Sequence, residues 1–287
     1  MVSSFAEAFD LAARVINLLY PQEKESCFQP PEQAPAIPAD TAQPYDIIDS
    51  VITRAFDRDS FIEFYKEMNN PLAGPSLVTG LATLGGQTVG IIADQPLYKG
   101  GGADAPGTEK FRVFTQFLNE HNIPLFMLSN SSGFVPGSRQ ERYRIQAIGA
   151  ESLDANILGQ IPVVSVVLNQ NYGGRLIQAF NKFLRPGIVY IALESAIMAV
   201  IGVTAAFDLL NGAKYNQLIA AGETQKAAEM KDGFYSKYLE KAKAKNDALA
   251  TGLVDWTIPD IKDLRRHLIE ALELARRKCR DIFGQRN

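Results

Sequence analysis

The chain has 287 residues, 46% of them hydrophobic and 21% charged, with a formal net charge of -3 and a pI near 5.6. That length holds one large domain or two small ones, and the mild acidity argues against nucleic acid, whose phosphates draw a basic excess or a basic stripe. No stretch approaches the roughly 20 apolar residues that span a bilayer, and the N-terminus lacks the charged start and small-residue cleavage site of a signal peptide, so a cytoplasmic protein is expected.

Residues 4–20 predict a helix, because Ser4 and Glu7 form a capping box and Phe5, Ala8, Ala12, Val15, Ile16 and Leu19 recur at helical spacing. Pro21 ends it, having no N–H to continue the ladder. The stretch "FQPPEQAPAIPADTAQPY" then reads as an extended, proline-rich linker. Residues 1–44 are therefore expected to be an arm and linker, lying on another subunit or across the surface of a domain formed by residues 45–287.

From Tyr45 strand and helix patterns alternate. "YDIIDSVITRAFDRDSFIEFY" has helical spacing, "PSLVTGLATLGGQTVGIIAD" reads as two strands joined at Gly85–Gly86, and "TEKFRVFTQFLNEHN" predicts an amphipathic helix capped by Thr108. The strand "IPLFMLS", a glycine-bearing turn and a helix around "RIQAIGAESLDANILG" follow. Then come the strand "IPVVSVVL", a glycine pair, and the strands "GIVYIAL" and "SAIMAVI". Such alternation implies an α/β fold with a mostly parallel sheet. The basic cluster "LRRHLIEALELARRKCR", interspersed with Glu, reads as a solvated helix face.

Side chains suited to catalysis are scarce. His121 ends a predicted helix and His267 lies inside another, so both read as structural. Cys27 and Cys279 form neither metal nor redox spacing and read as free thiols, and no His/Cys/Asp cluster has metal-ligand spacing. Asp57, Asp59, Asp260 and Asp263 fall at turns or helix starts, where carboxylates cap. "KGGGAD" at 99–104 lacks the Lys-Ser/Thr ending of a P-loop and reads as a flexible loop.

What remains are two glycine turns at strand ends, "SNSSGFVPGSRQE" after "IPLFMLS" and "NQNYGGRL" after "IPVVSVVL". In a parallel sheet both fall on one edge. Glycine there admits positive φ and close approach to the main chain, and helix-initial N–H groups point outward at an anion or a polarised carbonyl oxygen. Two such donors form an oxyanion hole that needs no side chain. Each turn alone is explained by steric need for glycine; together they point to a site.

The segments "YDIIDSVITRAFDRDSFIEF", "LVTGLATLGGQTVGIIAD", "GTEKFRVFTQFLNEHNIPLFMLSNSSGFVPGSRQE", "IGAESLDANILGQIPVVSVVLNQNYGG" and "GLVDWTI" resemble, in that order, the C-terminal domain of biotin-dependent acyl-CoA carboxyltransferases. That family includes the β subunits of acetyl- and propionyl-CoA carboxylases and the α subunit of glutaconyl-CoA decarboxylase. "VINLLYP", the linker and "IPAD" resemble the join between the family's two domains, so the chain is expected to be the second half. The linker and "KAKAKNDALATGLVDWTI" are most similar to the glutaconyl-CoA decarboxylase branch. The resemblance implies a crotonase-like fold, a spiral of ββα units, here with an N-terminal and a C-terminal helix flanking it. It implies biotin on a separate carrier protein and a coenzyme A thioester as substrate. An N-terminal carboxyltransferase-domain subunit is the implied partner, in a homo- or hetero-oligomer with the reaction at the interface.

By motif, Gly133 and Phe134 match the family's Gly-Phe turn, and Gly174 with Arg175 matches its second donor pair. Their backbone N–H groups are implied to stabilise the enolate form of biotin. Gly133, Gly137, Tyr172, Gly173, Gly174 and Gly202 are implied to border the cofactor, and no metal is implied. Two departures stand out. Asn130-Ser131-Ser132 replaces the family's Asp-Thr-Pro, and Arg175 replaces an alanine. The Arg175 side chain is expected to point away from the ligand or meet a carboxylate, and Arg175→Ala to be tolerated. Two other readings stay open: a biotin-independent crotonase-type hydratase or decarboxylase, and a noncatalytic scaffold subunit.

Overall fold

Ser4 Oγ accepts the Glu7 N–H at 3.2 Å and starts α1, Phe5–Leu19, as its capping box predicts. The computed structural model describes residues 4–20, 28–40, 43–66 and 74–283, so Pro21 and Cys27 lie outside the described residues. No residue of α1 is buried; Leu18 and Leu19 lean on the core while Phe5 and Phe9 face outward. The proline-rich stretch follows the surface, tied by Ala36 N–H to the Ser50 carbonyl at 3.0 Å and by Arg58 N–H to the Gln29 carbonyl at 2.9 Å.

Helical spacing across residues 45–65 is realised only in its first half. A π-helical turn, Ile48–Ile52, runs into α2, Thr53–Ala55, and the chain then turns extended at Phe56. Ile62–Phe64 is instead strand β1, antiparallel to β2, Leu77–Leu84, with Ile62 opposite Leu81. The cause is tertiary. The Asp57 carboxylate accepts the Gly85 and Gly86 N–H groups at 3.1 and 2.8 Å, in the turn joining β2 to β3, Gln87–Asp94. Both glycines hold positive φ, 60° and 79°, as a tight hairpin requires.

Helix α3, Ala105–Glu120, begins earlier than expected. Its cap is Asp104, whose carboxylate accepts the Gly107 N–H at 3.0 Å, and not Thr108, whose hydroxyl donates back to the Asp104 carbonyl at 2.8 Å. Pro106 is preorganised for that first turn. There follow β4, Leu125–Ser131; α4, Ser138–Arg142; α5, Ile145–Leu158; and β5, Val163–Tyr172. Next are α6, Gly174–Gln178; β6, Ile188–Leu193; and β7, Ile197–Ala199. Two long helices, α7, Val203–Ala220, and α8, Thr224–Ala242, then precede β8, Trp256–Ile258, and α9, Leu264–Phe283.

The sheet runs β1-β2-β3-β4-β5-β6-β8, with β7 also on β5. The first three strands form antiparallel pairs and every later pairing is parallel. Parallel neighbours require crossovers, which α3 and α5 supply. Side chains alternate between two cores. Phe126 and Leu128 of β4 join Leu264, Leu268 and Leu272 of α9 on one face, while Leu125 and Met127 join Phe111, Phe114 and Leu118 of α3 on the other. Burial on both faces is why these strands read as continuous apolar runs. Arg266, Arg277 and Arg280 of α9 are exposed, away from its buried Leu, Ala and Cys279 row, whereas Arg265, Arg276 and Lys278 are half-buried along its flanks.

Candidate active site

Strands β4 and β5 are parallel neighbours, so the turns that follow them lie side by side. After β4, Gly133 takes φ 107°. Its N–H already donates to Ser131 Oγ at 3.2 Å, so the first free donor of this turn is the Phe134 N–H. The turn is braced by Ala103, whose N–H donates to the Gly133 carbonyl and whose carbonyl accepts the Val135 N–H, both at 2.9 Å. Below it, Gly101 and Gly102 of "KGGG" are packed under the turn, while Lys99 and Gly100 are exposed. The Gly101 carbonyl accepts Ser131 Oγ at 2.8 Å, and a Cβ on Gly101 would overlap the Asn130 carbonyl oxygen.

The second strand runs further than expected. Asn169–Tyr172 stay in β5 because β7 pairs with Gln170–Tyr172. Gly173 then takes φ 60° and ψ -137°, a conformation side chains resist. Its N–H donates to the Ala199 carbonyl and its carbonyl accepts the Leu176 N–H, each at 3.1 Å. The Gly174 and Arg175 N–H groups open α6 and find no acceptor among the described residues. The two turns touch: a Cβ on Gly174 would stand 3.1 Å from the Phe134 ring, and one on Gly133 would stand 3.6 Å from the Tyr172 carbonyl oxygen. Three unsatisfied N–H groups, of Phe134, Gly174 and Arg175, thus share one sheet edge.

Beside them opens a cavity of about 520 Å³, walled by Phe134, Val135, Pro136, Ile145, Leu153 and Ile177, with Glu141 and Gln146 as its polar rim. Of the other expected residues, Tyr172 belongs to this edge, and burial, with Tyr238 second, pushes its phenol up to about 12. Gly137 is the residue before α4, at the far end of the first turn, and Gly202 is the residue before α7; a Cβ on either would meet nothing within 4 Å.

Arg175 is the feature that sequence reasoning left half-resolved. Its side chain is fully buried and turns inward, where Nη2 meets Asp94 Oδ1 at 2.6 Å and Nη1 meets Gln178 Oε1 at 2.5 Å. Of the two donors that open α6, Gly174 is exposed and Arg175 is sealed as a whole residue. The guanidinium lies 5.1 Å from the Phe111 ring centre, and Gln178 Nε2 donates to Ser152 Oγ at 2.5 Å. Burial pushes the Asp94 carboxyl up, with Arg175 and the Asn130 N–H opposing. The expectation that Arg175→Ala is tolerated is therefore corrected, since it strands Asp94 in the dry interior. Asp94, Gln178 and Ser152 were not singled out. The available signal was an arginine where the resembled family has an alanine, in a turn that follows a buried strand.

The remaining candidates are structural. His121 packs on Phe117 with ring centres 4.6 Å apart and planes tilted by 54°, and His267 Nδ1 accepts from Trp256 Nε1 at 3.2 Å. Cys279 is a buried free thiol, and Asp260 caps its turn by accepting the Lys262 N–H at 3.0 Å.

A sheet wound from strand and helix units, with unsatisfied N–H groups at its parallel edge, defines a crotonase-like α/β protein. The carboxyl transferase domain model matches residues 10–287, so the chain belongs to that family. It is 31% identical over 284 residues to the methylmalonyl-CoA carboxyltransferase 12S subunit of Propionibacterium freudenreichii subsp. shermanii, covering 93% of this chain and 50% of that one. It is 30% identical over 244 residues to the propionyl-CoA carboxylase beta chain of Saccharopolyspora erythraea, covering 83% of this chain and 42% of that one. The solved transcarboxylase 12S hexamer, with methylmalonyl-coenzyme A bound, superposes with a TM-score of 0.78 at 29% identity, over 95% of this chain and 52% of that one. The geranyl-CoA carboxylase beta subunit of P. aeruginosa shares the fold at a TM-score of 0.71 and 22% identity, over 96% of this chain and 51% of that one. The chain spans about half the length of these relatives. No helix among the described residues is long and apolar enough to cross a membrane.

Proposed function

We propose that this chain is the biotin-facing half of a carboxyltransferase or decarboxylase that moves a carboxyl group between biotin, borne on a separate carrier protein, and an acyl-CoA. The observation that carries the reading is the shared edge of three unsatisfied backbone N–H groups, of Phe134, Gly174 and Arg175. Biotin, when bound, supplies the transferable carboxyl group. The chain's part is to bind and hold a carbonyl oxygen on which negative charge gathers. Donors fixed at strand ends need no reorganisation as that charge develops, which is where such sites gain their effect. The donor chemistry fits a ureido carbonyl, because backbone N–H groups carry no charge and no proton to lose. Phe134 and Ile177 give the same edge an apolar wall. With its guanidinium folded onto Asp94, Arg175 keeps its side chain off the edge and leaves its backbone N–H without an acceptor among the described residues.

In this reading residues 45–287 are the C-terminal carboxyltransferase domain and residues 1–44 an arm toward neighbouring subunits. The half-site is closed by an N-terminal carboxyltransferase-domain subunit in a cytosolic oligomer. The test is transfer of a labelled carboxyl group from a short acyl-CoA that carries a free carboxylate to a biotin carrier protein, with the partner subunit added. Avidin-sensitive label on the carrier is the expected result. Thioester hydration or decarboxylation that ignores avidin would replace this reading with the biotin-independent one, and an inert complex would leave a scaffold.

A further inference from the structure

We infer that Asp94 and Arg175 are positioning residues whose ion pair sets the spacing of the two N–H-bearing turns. For its catalytic consequence the inference rests on the carboxyltransferase reading. The backbone ladder gives out where the site begins. Strands β3 and β4 pair as far as Ala93 opposite Leu128, and β4 pairs with β5 as far as Ser129 opposite Val167. The register then shifts before Ser131 meets Asn171, and Asn130 sits in that irregularity.

The Asn130 N–H goes instead to Asp94 Oδ2, at 3.1 Å, while Asp94 Oδ1 takes Arg175 Nη2 at 2.6 Å. One carboxylate, at the last residue of β3, thus grips the backbone just before Gly133 and the side chain just after Gly174. The far side of the guanidinium is held through Gln178 to Ser152 of α5, and by the Phe111 ring of α3. Rotation or slippage of α6 against β4 would break a charged contact in the dry interior. Stability alone does not account for the pair, because apolar residues of similar volume commonly do as well in such places. Arg175 Nε even goes without an acceptor among the described residues. What the pair adds is a fixed distance, and stabilisation by N–H donors falls steeply with misplacement.

The test compares the full-length wild type with the double variant Asp94→Leu/Arg175→Met, in three measurements: thermal unfolding, amide hydrogen exchange, and carboxyl transfer. The double variant removes both charges together. It is expected to unfold cooperatively within about 4 °C of wild type. Exchange at the Asn130 N–H should quicken at least about tenfold while Met127, in mid-strand, stays unchanged. Turnover should fall up to about 10²-fold with KM unchanged. Wild-type exchange at Asn130 together with wild-type kcat would overturn the inference. Should the wild type transfer no carboxyl group, the functional reading falls and exchange at Asn130 alone decides the positioning. If the double variant does not fold, Arg175→Lys carries the test, since lysine keeps the charge but lacks the fork that spans Asp94 and Gln178. Faster exchange at Asn130 with a several-fold lower kcat is expected, and wild-type values for both overturn it.

Discussion

Two arginine–aspartate pairs hold opposite ends of this sheet with the same 2.6 Å contact and contrasting surroundings. At the hairpin end, Asp57 grips the Gly85 and Gly86 N–H groups and Arg265, which also donates to the Ala55 carbonyl at 2.8 Å. Its arginine is partly open to water, with a side chain 18% exposed. At the site end both partners are sealed, at 1% and 0%. Burial raises both carboxyls. For Asp57 the hydrogen bonds from Gly86 and Arg265 outweigh it and hold the carboxyl below the usual range, whereas for Asp94 burial prevails. A clamp that touches water contributes stability and titrates; a clamp without water mainly fixes geometry and is costly to cut on one side.

Cutting the sealed pair on one side should have the largest effect. Arg175→Ala is expected to lose about 3–5 kcal/mol, read from the midpoint of urea unfolding, because it leaves a buried carboxylate without its cation. An unchanged midpoint would show that Asp94 finds another partner, and the contrast between the two ends would collapse.

The next effect belongs to the turns. Gly174→Val should slow turnover by about 10²- to 10³-fold, because a branched side chain blocks the approach of a carbonyl oxygen to the donor. Its stability cost should be smaller, since the residue is helical and the nearest obstruction to a Cβ is the Phe134 ring at 3.1 Å. Turnover and melting temperature falling in proportion would assign the glycine to packing alone.

Lys110 sharpens the comparison from another side, as a buried cation with no carboxylate at ion-pair distance among the described residues. Its Nζ donates to the Leu77 carbonyl at 2.7 Å, and burial pulls its pKa down to about 8. A folded-state value below the unfolded one means that the unfolded chain binds more protons between about pH 8 and pH 10.4, so stability rises with pH across that window. Lys110→Met should stabilise by roughly 2–3 kcal/mol at pH 7, and the gain should vanish above about pH 10. A gain that persists unchanged at pH 10.5 would trace to packing and not to the charge.

The smallest effect is expected at the water-touching clamp. Asp57→Asn should lose about 1–2 kcal/mol at pH 7. The sign with pH is fixed by the lowered carboxyl: its contribution is present above the ordinary carboxylate range and is lost as pH falls through the folded value. Melting curves of the wild type and Asp57→Asn should therefore converge on acidification, and parallel curves down to pH 3 would deny Asp57 that part.

Local chemistry determined a good deal of this molecule without any partner in view. Strands buried on two faces must be nearly continuous apolar runs, so "IPLFMLS" and "IPVVSVVL" announced themselves, and the tight backbone at Gly85–Gly86, Gly133 and Gly173 announced itself as glycine. The Ser4 cap was legible for the same reason, since its bond reaches only three residues. Tertiary structure alone decided the rest, and each case turns on a partner far along the chain. Asp57 bends the chain out of its helix to reach a hairpin 28 residues on, and β7 draws Gln170–Tyr172 into the sheet. The side chain of Arg175 finds Asp94 81 residues away, a pairing that no local period records because it exists only once three strand ends have met.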